Sequence, residues 1–256
     1  MKVIIPAAGA GTRLRPHTHT TPKALVQVAG KPILGHILDR LSVLDVAELI
    51  LIIGYMGEKI KNYVDSHYNF KTTYVEQKQR LPSWEGQGWV GYAINLARDC
   101  VDGQPVLITL DDTILEVDLT TMVQSACSSI GAKEVDEPQR FGIIEMENGF
   151  IKRLIEKPLN PPTNLAIVGV YYIQNSPLLF DCLQEVIEKG IRTKNEYQLA
   201  DGLQLMLNKG EKMKAVEIDG WYDCGKPESL LATNRYLLQK QPRDYNLPDS
   251  IVMPPL

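Results

Sequence analysis

The stretch that decides the fold is MKVIIPAAGAGTRLRP, residues 1–16 of the chain. Its run Val3–Pro6 is continuously apolar, which is typical of a strand that is buried on both faces. A loop containing Gly9 and Gly11 follows at once, and glycine lets backbone N–H groups approach a bound group without a Cβ in the way. Arg13 adds a fixed positive charge to this loop. The stretch therefore predicts a strand that ends at a loop suited to phosphate groups.

Strands and helices alternate through the first half of the chain. The apolar run Glu48–Ile53 predicts a second buried strand, and apolar residues on one face of Ile33–Leu44 predict a helix before it. Strands that are apolar throughout and alternate with helices indicate a parallel sheet covered on both faces. The other elements predicted in this half are helices at Glu58–Ser66 and Gly91–Arg98 and strands at Thr72–Val75 and Val106–Leu110.

The second half has a different pattern. Asn148 and Gly149 stand between the runs Phe141–Glu145 and Phe150–Glu156, which is typical of a β-hairpin with a two-residue turn. We expect one mixed α/β domain over residues 1–240, followed by an extended, Pro-rich arm over residues 241–256. The remaining predicted elements are strands at Ile167–Ile173 and Met213–Ile218 and helices at Pro177–Lys189, Tyr197–Asn208 and Glu228–Gln239.

The composition argues against several classes of partner. The net charge of −4 gives no general attraction to nucleic acid or to an anionic membrane, so an anionic ligand needs locally placed cations. No stretch approaches 18 uninterrupted apolar residues and no signal-peptide pattern opens the chain, so we expect a cytoplasmic protein without a membrane span. The four cysteines are widely spaced, which favours reduced thiols over disulfides or a zinc site.

Two common phosphate-binding loops do not fit the first loop. The dinucleotide fingerprint needs a third glycine where Leu14 stands and a helix directly after it, whereas Pro16 and Pro22 keep the chain irregular. This disfavours an NAD-dependent oxidoreductase. A Walker loop is also absent, because no Gly-Lys-Ser/Thr follows at the required spacing. On the glycine pair alone, an ordinary Gly-rich turn between a strand and a helix fits equally well.

Three blocks in a fixed order resemble the signature of the nucleoside-diphosphate-sugar pyrophosphorylases, in particular the glucose-1-phosphate thymidylyltransferases. The blocks are Gly9-x-Gly11-Thr12-Arg13-Leu14-x-Pro16, Pro22-Lys23-x-Leu25 and Gly30-Lys31-Pro32-Ile33. Later similar segments are Val106–Ile114, Phe141-Gly142-Ile143, Glu156-Lys157-Pro158, Val168-Gly169-Val170-Tyr171 and Trp221-Tyr222-Asp223-Cys224-Gly225. The resemblance implies a Rossmann-like, mixed and mainly parallel sheet with helices on both faces. It also implies a homo-oligomer, a dimer or a tetramer.

The resemblance further implies a reaction and a role for each matched residue. A sugar 1-phosphate, with glucose 1-phosphate as the expected one, attacks the α-phosphorus of dTTP or UTP and releases pyrophosphate. Arg13 is expected to steady the pyrophosphate, and Lys23 to lie near the α-phosphate. Catalysis is assigned to Arg13, Lys23 and Asp112, and nucleotide binding to Ala8, Gly9, Gly11, Thr12, Gln77 and Gly91. Sugar-phosphate binding is assigned to Gly142, Glu156, Lys157 and Gly169.

By the same resemblance, Asp112 and Asp223 bind Mg²⁺ together. Magnesium prefers oxygen ligands and commonly takes one or two carboxylates plus substrate phosphates. Asp112 follows a predicted core strand, at the end where open α/β sheets place their ligands. Taken alone, Asp112 is more typical of a helix cap and Asp223 of a turn.

Two features depart from the family pattern. Asp111 replaces the glycine that usually precedes the metal aspartate, and its carboxylate either changes the metal affinity or turns outward. Lys78–Trp89 is an insertion, and it ends where relatives have a glycine-rich block that cradles the base. Trp89 either stacks on the base, fills the pocket or packs a longer surface loop. Gln77 remains available to read the base edge.

Two functions from different classes fit this sequence. One is a catalytic sugar nucleotidyltransferase, and the other is a catalytically silent regulatory or nucleotide-sugar-binding subunit. A silent member of the family is expected to lose Arg13, Lys23 or one of the metal aspartates. Since Arg13, Lys23, Asp112 and Asp223 are all present, the sequence favours the enzyme.

Overall fold

The computed structural model describes residues 1–78 and 90–240 of the chain. Nine of the strands in these ranges form one mixed sheet. The strands are β1 (Lys2–Ala7), β2 (Gln27–Val28), β3 (Lys31–Pro32), β4 (Glu48–Ile53), β5 (Thr72–Glu76), β6 (Val106–Thr109), β7 (Thr113–Leu115), β8 (Ser128–Glu134), β9 (Gly142–Glu147), β10 (Phe150–Glu156), β11 (Leu165–Ile173), β12 (Met213–Glu217) and β13 (Trp221–Asp223). The helices are α1 (Ile33–Leu41), α2 (Gly57–His67), α3 (Val90–Asn95), α4 (Arg98–Val101), α5 (Thr120–Val123), α6 (Ser176–Glu188), α7 (Leu199–Asn208) and α8 (Pro227–Lys240).

The first half of the chain builds a parallel core in the order β6-β1-β4-β5. Strand β1 pairs in parallel with both β4 and β6, and β4 pairs in parallel with β5. Every residue of β1 and β4 is buried, as the continuous apolar runs predict. All four strands point the same way, so the loops that follow them emerge at one edge of the sheet.

Helices cover both faces of this sheet. Successive side chains of a strand alternate between the two faces, and the core accordingly divides into two clusters. Val3 and Ile5 of β1 pack in a cluster with residues of α1, α2 and α8. Ile4 packs in a second cluster with residues of α3, α6 and α7. The predicted α/β class, with a mixed sheet and helices on both faces, is confirmed.

Strand β11 joins the parallel core to an antiparallel half. It pairs antiparallel with β6 and β9 on one side and with β8 on the other. Its register with β8 shifts between Ile167 and Tyr171, where Gly169 lies with φ of 82°. The hairpin β9–β10 turns at Asn148 and Gly149, both with positive φ, as the Asn-Gly pair predicts.

Several elements differ from the sequence-based prediction. Helix α1 ends at Leu41 and not at residue 44, and the Ser42 hydroxyl donates to the carbonyl of Leu38 at this end. The helix predicted over Gly91–Arg98 is divided into α3 and α4. Strand β8 and the short ribbon β7–β13 were not predicted. The predicted arm at residues 241–256 lies outside the described residues. In the described ranges, no helix has the length and apolarity to cross a membrane.

Candidate active site

The loop after β1 folds back onto Lys23. Gly11 has φ of 60°, and a methyl group on it would lie 2.9 Å from both Lys23 Cβ and Thr18 Cγ2. The Thr18 hydroxyl donates to the Gly11 carbonyl at 2.8 Å, and Leu14 is buried beneath the loop. Gly11 is therefore required both by its left-handed backbone and by the close approach. A methyl group on exposed Gly9 would meet no described atom within 4 Å.

The ammonium of Lys23 lies between two carboxylates. Lys23 Nζ is 2.6 Å from Asp112 Oδ2 and 3.4 Å from Asp111 Oδ1. Burial disfavours the charged ammonium and lowers its pKa, but the negative charges of Asp111 and Asp112 outweigh burial and raise the pKa of Lys23 above its usual range. Lys23 therefore stays protonated and supplies a fixed positive charge at this point.

The side chain of Asp111 turns inward. This side chain is 11% exposed, so the alternative that the extra carboxylate points to solvent is wrong. Burial raises the pKa of Asp111, and Lys23 offsets only part of this effect. Burial acts on Asp112 in the same direction, but there the charge and hydrogen bond of Lys23 prevail, and the pKa of Asp112 falls below its usual value. Asp112 is the more firmly ionised of the two.

The pairing of β7 with β13 places Asp223 close to Asp112. Asp223 pairs with Thr113, the residue after Asp112, and the Cys224 N–H donates to the Asp112 carbonyl at 2.8 Å. Asp112 lies in the turn between β6 and β7, and the next helix begins only at Thr120, so the helix-cap interpretation of Asp112 is wrong. Asp223 Oδ1 accepts from the Gly225 N–H at 2.8 Å, a contact that belongs to a turn and leaves Oδ2 without a described partner.

The donor set at this corner suits Mg²⁺. A methyl group on Gly225 would lie 3.0 Å from Asp223 Oδ1 and 3.1 Å from Asp112 Oδ2, so the two carboxylates border a space that glycine leaves open. Across residues 1–78 and 90–240, no group of three or more His, Cys, Asp and Glu side chains is arranged to hold a metal. Two carboxylates alone leave coordination positions for phosphate oxygens and water, which is the usual arrangement for Mg²⁺.

A second group of predicted residues lies at β9 and β10. A methyl group on Gly142 would lie 3.1 Å from Glu156 Oε2, and the other carboxylate oxygen of Glu156 is 3.2 Å from Lys157 Nζ. The Glu156 side chain is 12% exposed and that of Lys157 is 46% exposed. The Lys157 N–H donates to the Phe141 carbonyl, which fixes the backbone of the exposed cation.

Gly169 and Tyr171 on β11 connect the two groups. A methyl group on Gly169 would lie 3.1 Å from Leu110 Cδ1 and 3.2 Å from Thr113 Oγ1, next to Asp112 in the chain. Tyr171 is buried, and burial together with the negative charges of Glu156 and Asp112 raises its pKa. The charges of a carboxylate from each group therefore act on the same phenol, and β11 pairs with both β6 and β9.

The other residues of the first loop are held by contacts within the loop and with the segment after β4. Arg13 is exposed, and its charge acts on Lys23, Asp112 and Glu196. The Ala8 carbonyl accepts from the Tyr55 N–H at 3.4 Å, and the Thr12 carbonyl accepts from the Arg15 N–H at 3.3 Å. These contacts hold the loop while Gly9 stays open to solvent.

The two remaining residues of the predicted nucleotide site are placed differently. Gln77 follows β5 at the same sheet edge, with its N–H bonded to the Ile53 carbonyl. The Gly91 N–H donates to the Tyr197 carbonyl at 2.9 Å, and a methyl group on Gly91 would lie 2.9 Å from the Gln198 carbonyl oxygen. This donor of Gly91 is thus occupied, and its nucleotide-binding role stays a prediction. The interpretation of Trp89 falls at 79–89, outside the described residues.

Sequence reasoning left two acidic residues at the site without a role. Asp111 was noticed as a departure from the family pattern, but no sequence signal indicated that it pairs with Lys23. Glu196 is half-buried, which raises its pKa, and the charges of Lys157, Glu156 and Arg13 all act on it. Glu196 stands shortly before α7, and the sequence alone assigns it no role.

The sheet, the loop after β1 and the paired aspartates define a nucleotidyltransferase-type fold and site. The family described as Nucleotidyl transferase matches residues 2–240, and the chain belongs to this family.

Two curated relatives and one solved structure show the similarity. The low-salt glycan biosynthesis nucleotidyltransferase Agl11 of Haloferax volcanii is 35% identical over 93% of this chain and 66% of its own length. The UTP–glucose-1-phosphate uridylyltransferase AglF of the same organism is 33% identical over 89% of this chain and 93% of its own length. A crystal structure of UDP-glucose pyrophosphorylase with UDP-glucose is 26% identical, with a TM-score of 0.81 over 94% of this chain and 99% of that one. The chain spans about half to two thirds of the longer curated relatives.

Proposed function

We propose that this chain is a sugar-1-phosphate nucleotidyltransferase that condenses a hexose 1-phosphate with UTP or dTTP and releases pyrophosphate. The observation that carries the proposal is one contact: the Lys23 ammonium lies 2.6 Å from Asp112, whose carboxylate borders the same space as Asp223, and the Lys23 side chain packs against Gly11 of the first loop. One fixed cation and two carboxylates at a loop open to phosphate match the needs of phosphoryl-type transfer, which are positioning and charge neutralisation.

The reaction needs no covalent nucleophile on the protein. A phosphate oxygen of the sugar 1-phosphate attacks the α-phosphorus in line, and the bond from that phosphorus to the bridging β-phosphate oxygen breaks. The electron pair of that bond leaves with pyrophosphate. Lys23 stabilises the negative charge on the equatorial oxygens of the α-phosphate, and Arg13 stabilises the leaving pyrophosphate. Lys157 holds the attacking phosphate, with Glu156 and the Gly142 backbone at the sugar.

We assign Mg²⁺ to Asp112 and Asp223. When bound, the ion supplies charge neutralisation for the phosphates and a template for their orientation. The two carboxylates orient the ion, and Gly225 keeps the space between them free of a side chain. Ala8, Gly9, Gly11 and Thr12 provide backbone at the triphosphate in this proposal.

The substrates follow from the relatives and from Gln77. AglF is a UTP–glucose-1-phosphate uridylyltransferase by name and is matched over nearly its full length, which supports UTP and glucose 1-phosphate for this chain. Gln77, at the end of β5, reads the edge of the base. Thymine differs from uracil by one methyl group, a small contact that discriminates weakly, so dTTP stays a second nucleotide substrate.

The proposed setting of the enzyme follows the sequence-based expectations. We infer that residues 1–240 act as a single nucleotidyltransferase domain in the cytoplasm. The four cysteines are free thiols, which agrees with a reducing compartment. We infer a homo-oligomer, a dimer or a tetramer, which light scattering of the purified chain measures directly.

The proposal is tested by measuring pyrophosphate release over a grid of sugar 1-phosphates and nucleoside triphosphates with Mg²⁺. We expect the fastest release with glucose 1-phosphate and UTP or dTTP, and none when a chelator replaces the metal. Measurable binding of a nucleotide sugar without turnover of any pair would instead establish the silent regulatory subunit. The presence of Arg13, Lys23, Asp112 and Asp223 argues against that alternative.

A further inference from the structure

Asp111 and Asp112 share one ammonium. Lys23 Nζ lies 2.6 Å from Asp112 Oδ2 and 3.4 Å from Asp111 Oδ1, and the three side chains are each at least four-fifths buried. Among the described residues, the side-chain hydrogen bond of Asp111 is the one from Lys23. Asp112 makes the shorter contact with Lys23, and Asp111 is a second anion at the longer distance.

The oxygen of Asp112 that accepts from Lys23 is also the one that faces Asp223. Asp112 Oδ2 and Asp223 Oδ1 lie 3.1 Å and 3.0 Å from the same point beside Gly225. A divalent cation bound between the two aspartates competes with the ammonium for this oxygen, because like charges repel strongly in a site of low dielectric. A buried ammonium that loses its partner is costly to the folded state unless another anion remains.

We propose that Asp111 is a positioning residue that holds Lys23 in place while Asp112 and Asp223 bind the metal ion. The proposal rests on the proposed function, because it takes Lys23 to act on the α-phosphate and the aspartates to bind the ion. Asp111 acts through Lys23 and needs no contact with the metal or the substrate. With Asp111 present, the ammonium would keep one anionic partner when Asp112 binds a metal ion.

The first variant is Asp111→Asn, which keeps the size of the side chain and removes its charge. We expect kcat to fall about tenfold with KM for both substrates nearly unchanged, because a displaced Lys23 loses an interaction of the transition state and not of the ground state. We also expect the affinity for Mn²⁺ alone, measured by electron paramagnetic resonance, to fall about tenfold, the lower range for loss of a residue that supports metal ligands. Asp136→Asn, which removes one charge from an exposed site, is the matched control.

A double-mutant cycle with Lys23→Met separates positioning from a direct role. If Asp111 acts through Lys23, then Asp111→Asn in the Lys23→Met background changes both kcat and Mn²⁺ affinity by less than about twofold, within the error of independent sites. A loss of the same size in both backgrounds, or no loss in either, would overturn the proposal. Thermal unfolding of each variant checks folding, and Lys23→Gln takes the place of Lys23→Met if the latter does not fold.

Turnover and Mn²⁺ affinity test the proposed function and the role of Asp111 separately. An absence of turnover in the unchanged protein counts against the proposed function, whereas the Mn²⁺ cycle still measures whether Asp111 acts through Lys23. If Asp111→Asn binds Mn²⁺ with normal affinity while the unchanged protein shows turnover, the positioning role of Asp111 is wrong and the proposed function stands.

Discussion

At the scale of single residues, the site is a balance of charges around Lys23. Its ammonium has Asp112 at 2.6 Å and Asp111 at 3.4 Å, with the charge of Arg13 nearby. The carboxylates keep Lys23 protonated despite its burial, because their attraction exceeds the cost of desolvation. A permanently charged, buried and positioned ammonium is what electrostatic stabilisation of a phosphate transition state requires.

Replacing Lys23 by alanine is predicted to lower kcat by roughly 10²–10³, the scale seen when one electrostatic stabiliser is removed. Steady-state kinetics with saturating substrates measure the effect, and Lys212→Ala, at an exposed lysine, provides the control. A rise in KM with kcat unchanged would mean that Lys23 contributes only uniform substrate binding.

Asp223→Asn is predicted to raise the Mg²⁺ concentration for half-maximal velocity by at least about tenfold, the lower end of the losses seen when a residue that supports a metal ligand is removed. The reason is that one of two carboxylates at the open corner becomes neutral. Asp219→Asn, at an exposed position just before β13, is the control. An unchanged Mg²⁺ requirement in Asp223→Asn would place the ion elsewhere.

At the scale of elements, the loop after β1 contains two glycines whose surroundings differ. Gly11 has φ of 60° and no room for a methyl group, whereas Gly9 has no described atom within 4 Å of that position. Gly11 is therefore required for the fold of the loop, whereas Gly9, two residues earlier, lies where a ligand can approach the backbone.

Gly11→Ala is predicted to lower the melting temperature by at least about 2 °C, because a left-handed non-glycine residue costs about 1 kcal/mol before the clash is counted. It is also predicted to lower kcat/KM by up to about 100-fold, the effect of a misplacement of about 1 Å at a reacting group. Gly9→Ala is predicted to leave the melting temperature unchanged and to raise KM for the nucleotide. Equal melting temperatures for the two variants would contradict this division of roles.

The elements also show which parts of the fold the sequence predicts. Strand β4 has the predicted bounds, since a continuous run of large apolar residues has few alternatives to a buried strand. Strand β8 was missed because its sequence SSIGAKE has neither an apolar run nor a clean alternation. Its burial comes from its neighbours β11 and β12, which local patterns do not encode. The orientation of Asp111 stays open at the level of the sequence for the same reason, since its partner Lys23 is 88 positions away along the chain.

At the scale of the whole molecule, the site exists only once both halves of the chain have folded together. The parallel core supplies Lys23 and Asp112, the ribbon β7–β13 brings Asp223, and β11 sets Glu156 and Lys157 beside them. The family blocks in the sequence predict these residues, but the distances between them in space follow from the topology of the sheet. One arrangement thus holds Lys23 and Asp112 on the same sheet as Glu156 and Lys157, as the proposed transfer between two phosphorylated substrates requires.

The most direct test of the proposed sugar-1-phosphate nucleotidyltransferase activity follows the α-phosphate of the nucleotide. The purified chain is incubated with Mg²⁺, glucose 1-phosphate and UTP that carries a radioactive label on its α-phosphorus, and the products are separated. We predict that the label appears in the nucleotide sugar and that the released pyrophosphate is unlabelled, with no such product from Lys23→Ala on the same time scale. Labelled UMP without nucleotide sugar, or nucleotide left intact with every sugar phosphate, would contradict a sugar-1-phosphate nucleotidyltransferase.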